Sequence, residues 1–325
     1  MALLSALLAL RDGGVIGKEA LFCLHVEHGI RPAEESKGDA EFVREFCKSN
    51  SIECKVKNIP PGRAAALARK KGIGIEAAAR FFRHRAFSKE ASKLGEKTII
   101  LLAHTKDDLL ETALMRILRG SGSVGLSAMP EKRGRLLRPL LKMTRADVVE
   151  YLKTKNISWR EDSTNADEKY LRNRIRRSLI PLLNEAFPSW KSGVFNMAQT
   201  QSLTADFIAS EAVARVKWHE ISRNDLKNRA DSKFPVSVFT DAENFFAQER
   251  IIREEAVFLA VDELLKNRKT PRPVKRAVVR RFCEGAVNAA DLGPVKISRE
   301  GEKIILSRVR KEYFESGISR LLRVR

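Results

Sequence analysis

The segment His104-Thr105-Lys106-Asp107-Asp108-Leu109-Leu110-Glu111-Thr112 carries three carboxylates at helical spacing. Asp108 and Glu111 stand i, i+3 and Asp107 and Glu111 stand i, i+4, so a helix puts their oxygens on one face, where they could hold a divalent cation. Acids in a first turn also favour a helix N-terminus whatever the protein does, so spacing alone leaves both readings open. His104 stands just before them. A second cluster, Leu24-His25-Val26-Glu27-His28-Gly29-Ile30-Arg31, gathers His25, His28 and Arg31 around a glycine turn. Further on, Arg119-Gly120-Ser121-Gly122 ends the acidic helix in a cationic loop; C-capping accounts for Gly120 but leaves Arg119 unexplained.

Two basic stretches suggest phosphate. Residues 131–180 hold fourteen Lys and Arg against seven Asp and Glu, among them Arg172 and Arg176, and guanidinium groups at that density can clamp phosphates bidentately. Residues 266–281 hold eight basic residues and no acid. Lys275, Arg276, Arg280 and Arg281 there are candidates for contact with a nucleic-acid backbone, the bland reading being a solvated helix.

These groups need a scaffold, and the apolar pattern supplies one. Residues 20–26 (ALFCLHV) and 98–102 (TIILL) are continuous apolar runs, as in strands buried on both faces of a parallel sheet, and residues 53–59 read as a third strand. Helical periods intervene: residues 36–48 align Ala40, Val43, Phe46 and Cys47, and residues 76–94 align Ala79, Phe82, Ala86 and Leu94. Strand alternating with helix predicts a doubly wound, mainly parallel α/β sheet, with ligands at the carboxyl ends of the strands, where His25 to Gly29 and His104 fall. Residues 1–10 (MALLSALLAL) lack a basic n-region, which argues against export, and read as a buried crossover helix stopped at Gly13-Gly14. Such a helix normally follows a strand, so a first strand and its loop are expected upstream of Met1. After residue 190 long helical runs take over, at 199–217 and 243–265, followed by a hairpin pairing 295–298 with 303–307. The expected domains are 1–190, an α/β catalytic domain, and 191–325, mainly helical with a C-terminal hairpin.

Composition narrows the function. The 325 residues are 43% hydrophobic and 31% charged, which disfavours disordered, collagenous and disulfide-scaffold classes. A formal charge of +20, from 61 Lys and Arg against 41 Asp and Glu, points to a polyanionic partner, and no apolar stretch approaches the ~18 residues that span a bilayer. Cys23, Cys47, Cys54 and Cys283 form no C-x-x-C pair, which argues against a zinc ribbon or redox dithiol and for reduced, mostly buried thiols.

Taken in order, Leu24-His25-Val26-x-His28-Gly29-x-Arg31, Glu76-Ala77-Ala78-Ala79-Arg80, His104-x-x-Asp107-Asp108-x-x-Glu111-Thr112, Arg119-Gly120-Ser121-Gly122, Arg138-Pro139-Leu140-Leu141 and Asp162-x-x-Asn165-x-Asp167 followed by Arg172-Asn173-x-Ile175-Arg176 resemble the bacterial tRNA(Ile)-lysidine synthetases, PP-loop ATP pyrophosphatases. Asp291-Leu292-Gly293-Pro294 and Arg299-Glu300-Gly301 resemble that family's tRNA-binding extension. The resemblance implies a cytoplasmic ligase that uses ATP and Mg2+ to adenylate the C2 carbonyl of the wobble cytidine in the CAU anticodon of tRNA(Ile). L-lysine then displaces AMP to give lysidine. It implies Asp108 and Glu111 near the lysine ammonium and the reacting base, with His104 and Asp107 beside them. Arg83, Arg172 and Arg176 would face phosphates or the adenylate, and His25, His28, Arg31 and Arg119 belong to the same substrate and nucleotide set. A homodimer is compatible with it; a membrane is not part of it.

Two departures qualify the resemblance. The family's S-G-G-x-D-S phosphate loop is not among residues 1–325, and Thr105 stands where the family commonly has another His. The loop's absence predicts a chain that begins upstream of Met1, with a degenerate, non-catalytic tRNA-binding paralogue as the alternative. Another PP-loop tRNA modifier, such as a thiolase, is a further alternative, disfavoured by the lack of C-x-x-C cluster ligands.

Overall fold

The computed structural model describes residues 1–17, 21–30, 33–127, 129–160, 171–221, 237–265, 274–293 and 295–308. Arg31, the block Asp162 to Asp167, residues 266–273 of the basic run and Pro294 lie outside the described residues. The chain divides into two compact units, Met1–Ser202 and Leu203–Arg325.

The first unit begins with α1 (Ala2–Asp12), whose alanine- and leucine-rich sequence favours helix and which stops where the Gly13 N–H donates to the Ala9 carbonyl at 3.0 Å. Strand β1 (Phe22–Glu27), helix α2 (Ala33–Ser49) and β2 (Glu53–Asn58) form one crossover, and β1 pairs parallel with β2 in a register that sets Cys23 opposite Cys54. Leu8, Cys47 and Ile52 are buried between them, with Leu4, Val43 and Phe46 packed around. Helices α3 (Arg63–Lys71) and α4 (Ile75–Leu94) follow. The buried face of α4 is Ala78, Ala79 and Ala91, whereas Leu94, expected on that face, is 51% exposed at the C-terminal end.

Strand β3 (Ile100–Leu101), helix α5 (Lys106–Leu118), a short turn of helix α6 (Ser123–Leu126), β4 (Lys132–Arg133), β5 (Leu136–Leu137) and α7 (Arg145–Thr154) come next. β3 pairs parallel with β5, and β4 antiparallel with β5. Among the described residues, no backbone hydrogen bond joins this three-stranded sheet to β1 and β2, so the parallel pairing falls into two pieces. After α8 (Leu171–Arg174) the chain passes through a π-helical turn (Ile175–Leu179) into α9 (Ile180–Ala186). Pro181 lacks the N–H that would continue the α-helical ladder, and the preceding Ile180 N–H reaches back to the Ile175 carbonyl, five residues away. Leu110 and Leu114 of α5 pack against Ile175 and Trp190, with Leu171 and Leu179 alongside, which fixes the π-helical segment over α5.

Helix α10 (Trp190–Arg215) carries the division between the units. In the second unit, helices α11 (Ala242–Ala247), α12 (Arg250–Leu265) and α13 (Arg276–Cys283) accompany a five-stranded sheet. Its strands are β6 (His219–Glu220), β7 (Ser237–Asp241), β8 (Ala289–Asp291), β9 (Val295–Glu300) and β10 (Lys303–Arg308), ordered β6-β7-β10-β9-β8. The expected hairpin is thus the centre of a larger sheet, of which β6 and β8, two and three residues long, are too short to show a period. The single helix expected over residues 243–265 is two. The break at Gln248 carries no Gly or Pro; the Gln248 side-chain amide donates to the Asn244 carbonyl at 3.0 Å there, while Asp241 caps the other end of α11 by accepting from the Asn244 N–H at 2.6 Å. Phe245, Val257, Val279, Phe282, Ile297 and Ile304 form the fully buried centre of this unit. No helix of the described residues is long and apolar enough to cross a membrane.

Candidate active site

Within the first unit, the carboxyl end of β1, the N-terminal halves of α4 and α5, the start of α7, and α8 with the π turn enclose an open cleft of about 610 Å³. His25, Glu27, His28 and Gly29 line it from β1. Gly29 is there for a steric reason: its φ is +62°, and a Cβ on it would lie 2.4 Å from the Ile59 carbonyl oxygen. Glu76, Arg83 and Phe87 enter from α4, Asp108 from α5, Arg145 from α7, and Arg172, Asn173 and Arg176 from the last wall.

The acids of α5 do not act as one cluster. Thr105, the N-cap, donates its N–H to Asp108 Oδ2 at 2.8 Å and its hydroxyl to the same oxygen at 3.1 Å. The other Asp108 oxygen, Oδ1, accepts from the Arg172 guanidinium. Glu111 is 1% exposed. Its Oε2 accepts from Arg172 Nε at 2.5 Å, while Arg176 donates from Nε to Oε1 at 2.7 Å and from NH2 to Oε2 at 3.1 Å. One arginine therefore spans Asp108 and Glu111, and a second forks onto Glu111, the bidentate geometry that makes arginine–carboxylate pairs strong. Asp107 turns elsewhere, accepting from the Arg145 backbone N–H at 2.6 Å at the start of α7. The α5 acids expected to hold a cation are engaged by guanidinium and backbone donors.

Around them lies an excess of positive charge that the motifs only partly showed. Burial and the Arg80 and Arg172 charges pull the Arg83 pKa down, and burial, Arg172 and Arg133 do the same to Arg80. Burial followed by the charges of Arg80 and Arg133 depresses Arg138, which is 3% exposed and donates to the Pro130 carbonyl at 2.6 Å. His84 is pushed down to about 4 by burial and four arginines. His104 is likewise lowered to about 4 by burial, with Asp108 opposing and Arg138, Arg80 and Arg83 assisting, and its Nδ1 is buried without a hydrogen-bond partner among the described residues. Arg172 goes the other way: burial disfavours its charge, but Glu111 and Asp108 outweigh burial and raise its pKa. Mutually repelling, half-buried guanidiniums beside an orphaned imidazole nitrogen form a donor set suited to a polyanion.

His25, His28, Arg83, Asp108, Arg172 and Arg176 come together at the cleft, and Glu111 lies buried beneath it. Arg119 does not join them; it is the exposed C-cap of α5. Lys275, Arg276, Arg280 and Arg281 belong to α13 of the second unit. Two of these four pair with a buried acid while staying open to solvent: Glu254, 4% exposed, lies 3.9 Å from Arg276 Nε and 3.4 Å from Arg280 Nε, and Arg276 also stacks over Phe258. Arg80 and Arg138 stood in quoted motifs but were given no site role, and Arg133 and Arg145 stood in none. Arg80 was the most legible, lying i, i+3 from Arg83 on α4, whereas Arg133 and Arg138 reach the cluster only through the β4–β5 hairpin.

A PP-loop domain profile matches residues 1–183, more than half of the chain. This chain belongs to the PP-loop family. Among PP-loop relatives, the tRNA(Ile)-lysidine synthase of Treponema denticola is 35% identical over 94% of this chain and 63% of its own length. That of Bacillus subtilis is 28% identical over 94% of this chain and 61% of its own. That of Caldanaerobacter subterraneus is 40% identical over 51% of this chain and 35% of its own. The chain thus spans less than two thirds of the length of these relatives. A U34-tRNA thiolase structure from Methanococcus maripaludis aligns with a TM-score of 0.47 at 15% identity, covering 60% of this chain and 67% of that one, too slight a likeness to argue from.

Proposed function

We propose that this PP-loop chain carries the substrate side of an ATP-dependent ligase site that joins L-lysine to C2 of the wobble cytidine of tRNA(Ile) with a CAU anticodon, in the cytoplasm. The observation that carries the reading is the Arg172 guanidinium held between Asp108 and Glu111 at the cleft. A carboxylate pair that binds one planar cation can bind an ammonium in its place, with Arg172 then freed toward phosphate. Asp108, fixed by the Thr105 cap, would orient the incoming ε-amine and help take its proton, while buried Glu111 holds Arg172 and Arg176 in register. Arg80, Arg83 and Arg138 supply the positive field for a nucleotide's phosphates and for charge developing on the departing AMP. ATP supplies the activation, making the C2 oxygen a leaving group as its adenylate. Mg2+ would arrive with those phosphates, since the α5 acids have other partners. The names of the relatives support lysine and tRNA(Ile) as substrates.

The test uses the protein expressed from its own gene with ATP, labelled lysine and a tRNA(Ile) transcript. Label should enter the tRNA with release of AMP, and a transcript with uridine at the wobble position should accept none. Asp108→Asn should lower kcat with tRNA affinity almost unchanged, because a carboxylate repels the phosphate backbone and makes no contact with it. Sulfur transfer to the tRNA in place of lysine, or loss of tRNA binding in step with activity, would overturn the assignment.

A further inference from the structure

We propose that Cys23, Cys47 and Cys54 form a three-sulfur site for a soft d10 divalent cation of the zinc and cadmium type. The Sγ atoms of these three residues all lie within 4.8 Å of one another. They come from three elements of one crossover: Cys23 and Cys54 are direct partners in the parallel register of β1 and β2, and Cys47 descends on them from the last turn of α2. Three sulfurs around a cation at about 2.3 Å each would stand roughly 4 Å apart, so binding asks for a contraction of less than about 1 Å. Three separate backbone segments already hold them there.

The surroundings select the ion. Leu8, Ile52, Val43 and Phe46 pack around the thiols, and this is the one group of three His, Cys, Asp or Glu side chains among the described residues with ligand atoms so close together. Sulfur donors in an apolar wall suit a soft cation and exclude Mg2+ or Ca2+, which need oxygen ligands. Cys47 is fully buried, but Cys23 and Cys54 are half-buried, so a fourth ligand, such as water, would have to come from their solvent side. Without a cation Cys23 and Cys47 are protonated and poor nucleophiles: burial and then Cys54 push Cys47 up to about 11, and burial with both neighbouring sulfurs pushes Cys23 higher still. On binding, three S–H protons pass to solvent and three metal–sulfur bonds form, leaving one net negative charge. No redox step is involved. The site would be structural, tying β1, which carries His25, to β2 and α2.

The experiment titrates the reduced, metal-free protein anaerobically with Zn2+ against a chromogenic chelator, and with Cd2+ while following sulfur-to-metal charge-transfer absorption. The expected result is one equivalent per chain and a raised Tm. X-ray absorption on the zinc-loaded wild-type protein should count three sulfurs at about 2.3 Å, a reading that needs no variant to fold. Cys23→Ala and Cys54→Ala should weaken binding by more than the roughly 10–100-fold that outer-shell partners carry, and Cys283→Ala should leave it unchanged. Sub-stoichiometric uptake, fewer than three sulfurs, or binding that survives Cys54→Ala and fails in Cys283→Ala would overturn the proposal.

Discussion

Glu111→Gln is the substitution that best separates the arginine–carboxylate arrangement from mere packing. The side chain is 1% exposed and accepts three hydrogen bonds, one from Arg172 and two from Arg176. Glutamine keeps the volume but removes the charge, and its amide NH2 must face one of the two guanidiniums, donor against donor. Removing one partner of a fully buried ion pair costs about 3–5 kcal/mol. Two features lower that here: the arginine side chains are 31% and 29% exposed, so solvent compensates part of their charge, and Arg172 keeps Asp108. About 2–3 kcal/mol is the expected loss. For a unit of this size each kcal/mol moves Tm by roughly 2–4 °C, so thermal unfolding should fall by about 4–12 °C, with a matching drop in the urea midpoint. Arg176→Gln supplies the control, and the double variant should lose less than the sum of the two singles, because the second substitution relieves the uncompensated charge left by the first. A Tm shift below about 2 °C, or strict additivity in the double variant, would refute a shared buried ion pair.

His104 has its folded-state pKa lowered to about 4 from the ordinary histidine value of 6.5, so between these values the unfolded chain binds more protons than the folded one. Stability should therefore be complete above pH 6.5 and decline as pH falls toward 4, and His104→Gln should flatten that decline in urea midpoints measured across the window. Gly29→Ala should cost about 1–3 kcal/mol, since φ is +62° and the new methyl would press on the Ile59 carbonyl. A variant as stable as wild type would show that the turn tolerates an L side chain. Lys275→Ala with Arg281→Ala should weaken tRNA binding and flatten log K against log salt by about one unit for each phosphate no longer neutralised. Arg280→Ala should instead lower Tm, because it strips a partner from buried Glu254; an unchanged Tm with a reduced salt slope would place Arg280 on the nucleic acid.

What the sequence determined by itself was local or periodic. An apolar run located β1, and the alternation of apolar and polar residues located β2, to within two residues, since each pattern is local and needs no partner's identity to reveal itself. The i, i+3 acids and the His25–Gly29 turn were legible because their chemistry sits within one helical turn or one loop. Partners distant in the chain were not legible. Arg172 reaching Asp108 and Glu111 depends on α8 and the π turn packing through Ile175 onto Leu110 and Leu114, a contact across more than sixty residues. The pairing of Arg276 and Arg280 depends on buried Glu254, which no charge count along residues 266–281 contains. The cysteines make the contrast plainest. Their spacing in the chain argued against a zinc ribbon, an iron–sulfur site or a redox dithiol, yet parallel register places Cys23 beside Cys54 and the end of α2 brings Cys47 to both. Spacing along a chain reports ligands carried on one turn, whereas a sheet assembles ligands from separate strands, and only the register of those strands decides which side chains meet.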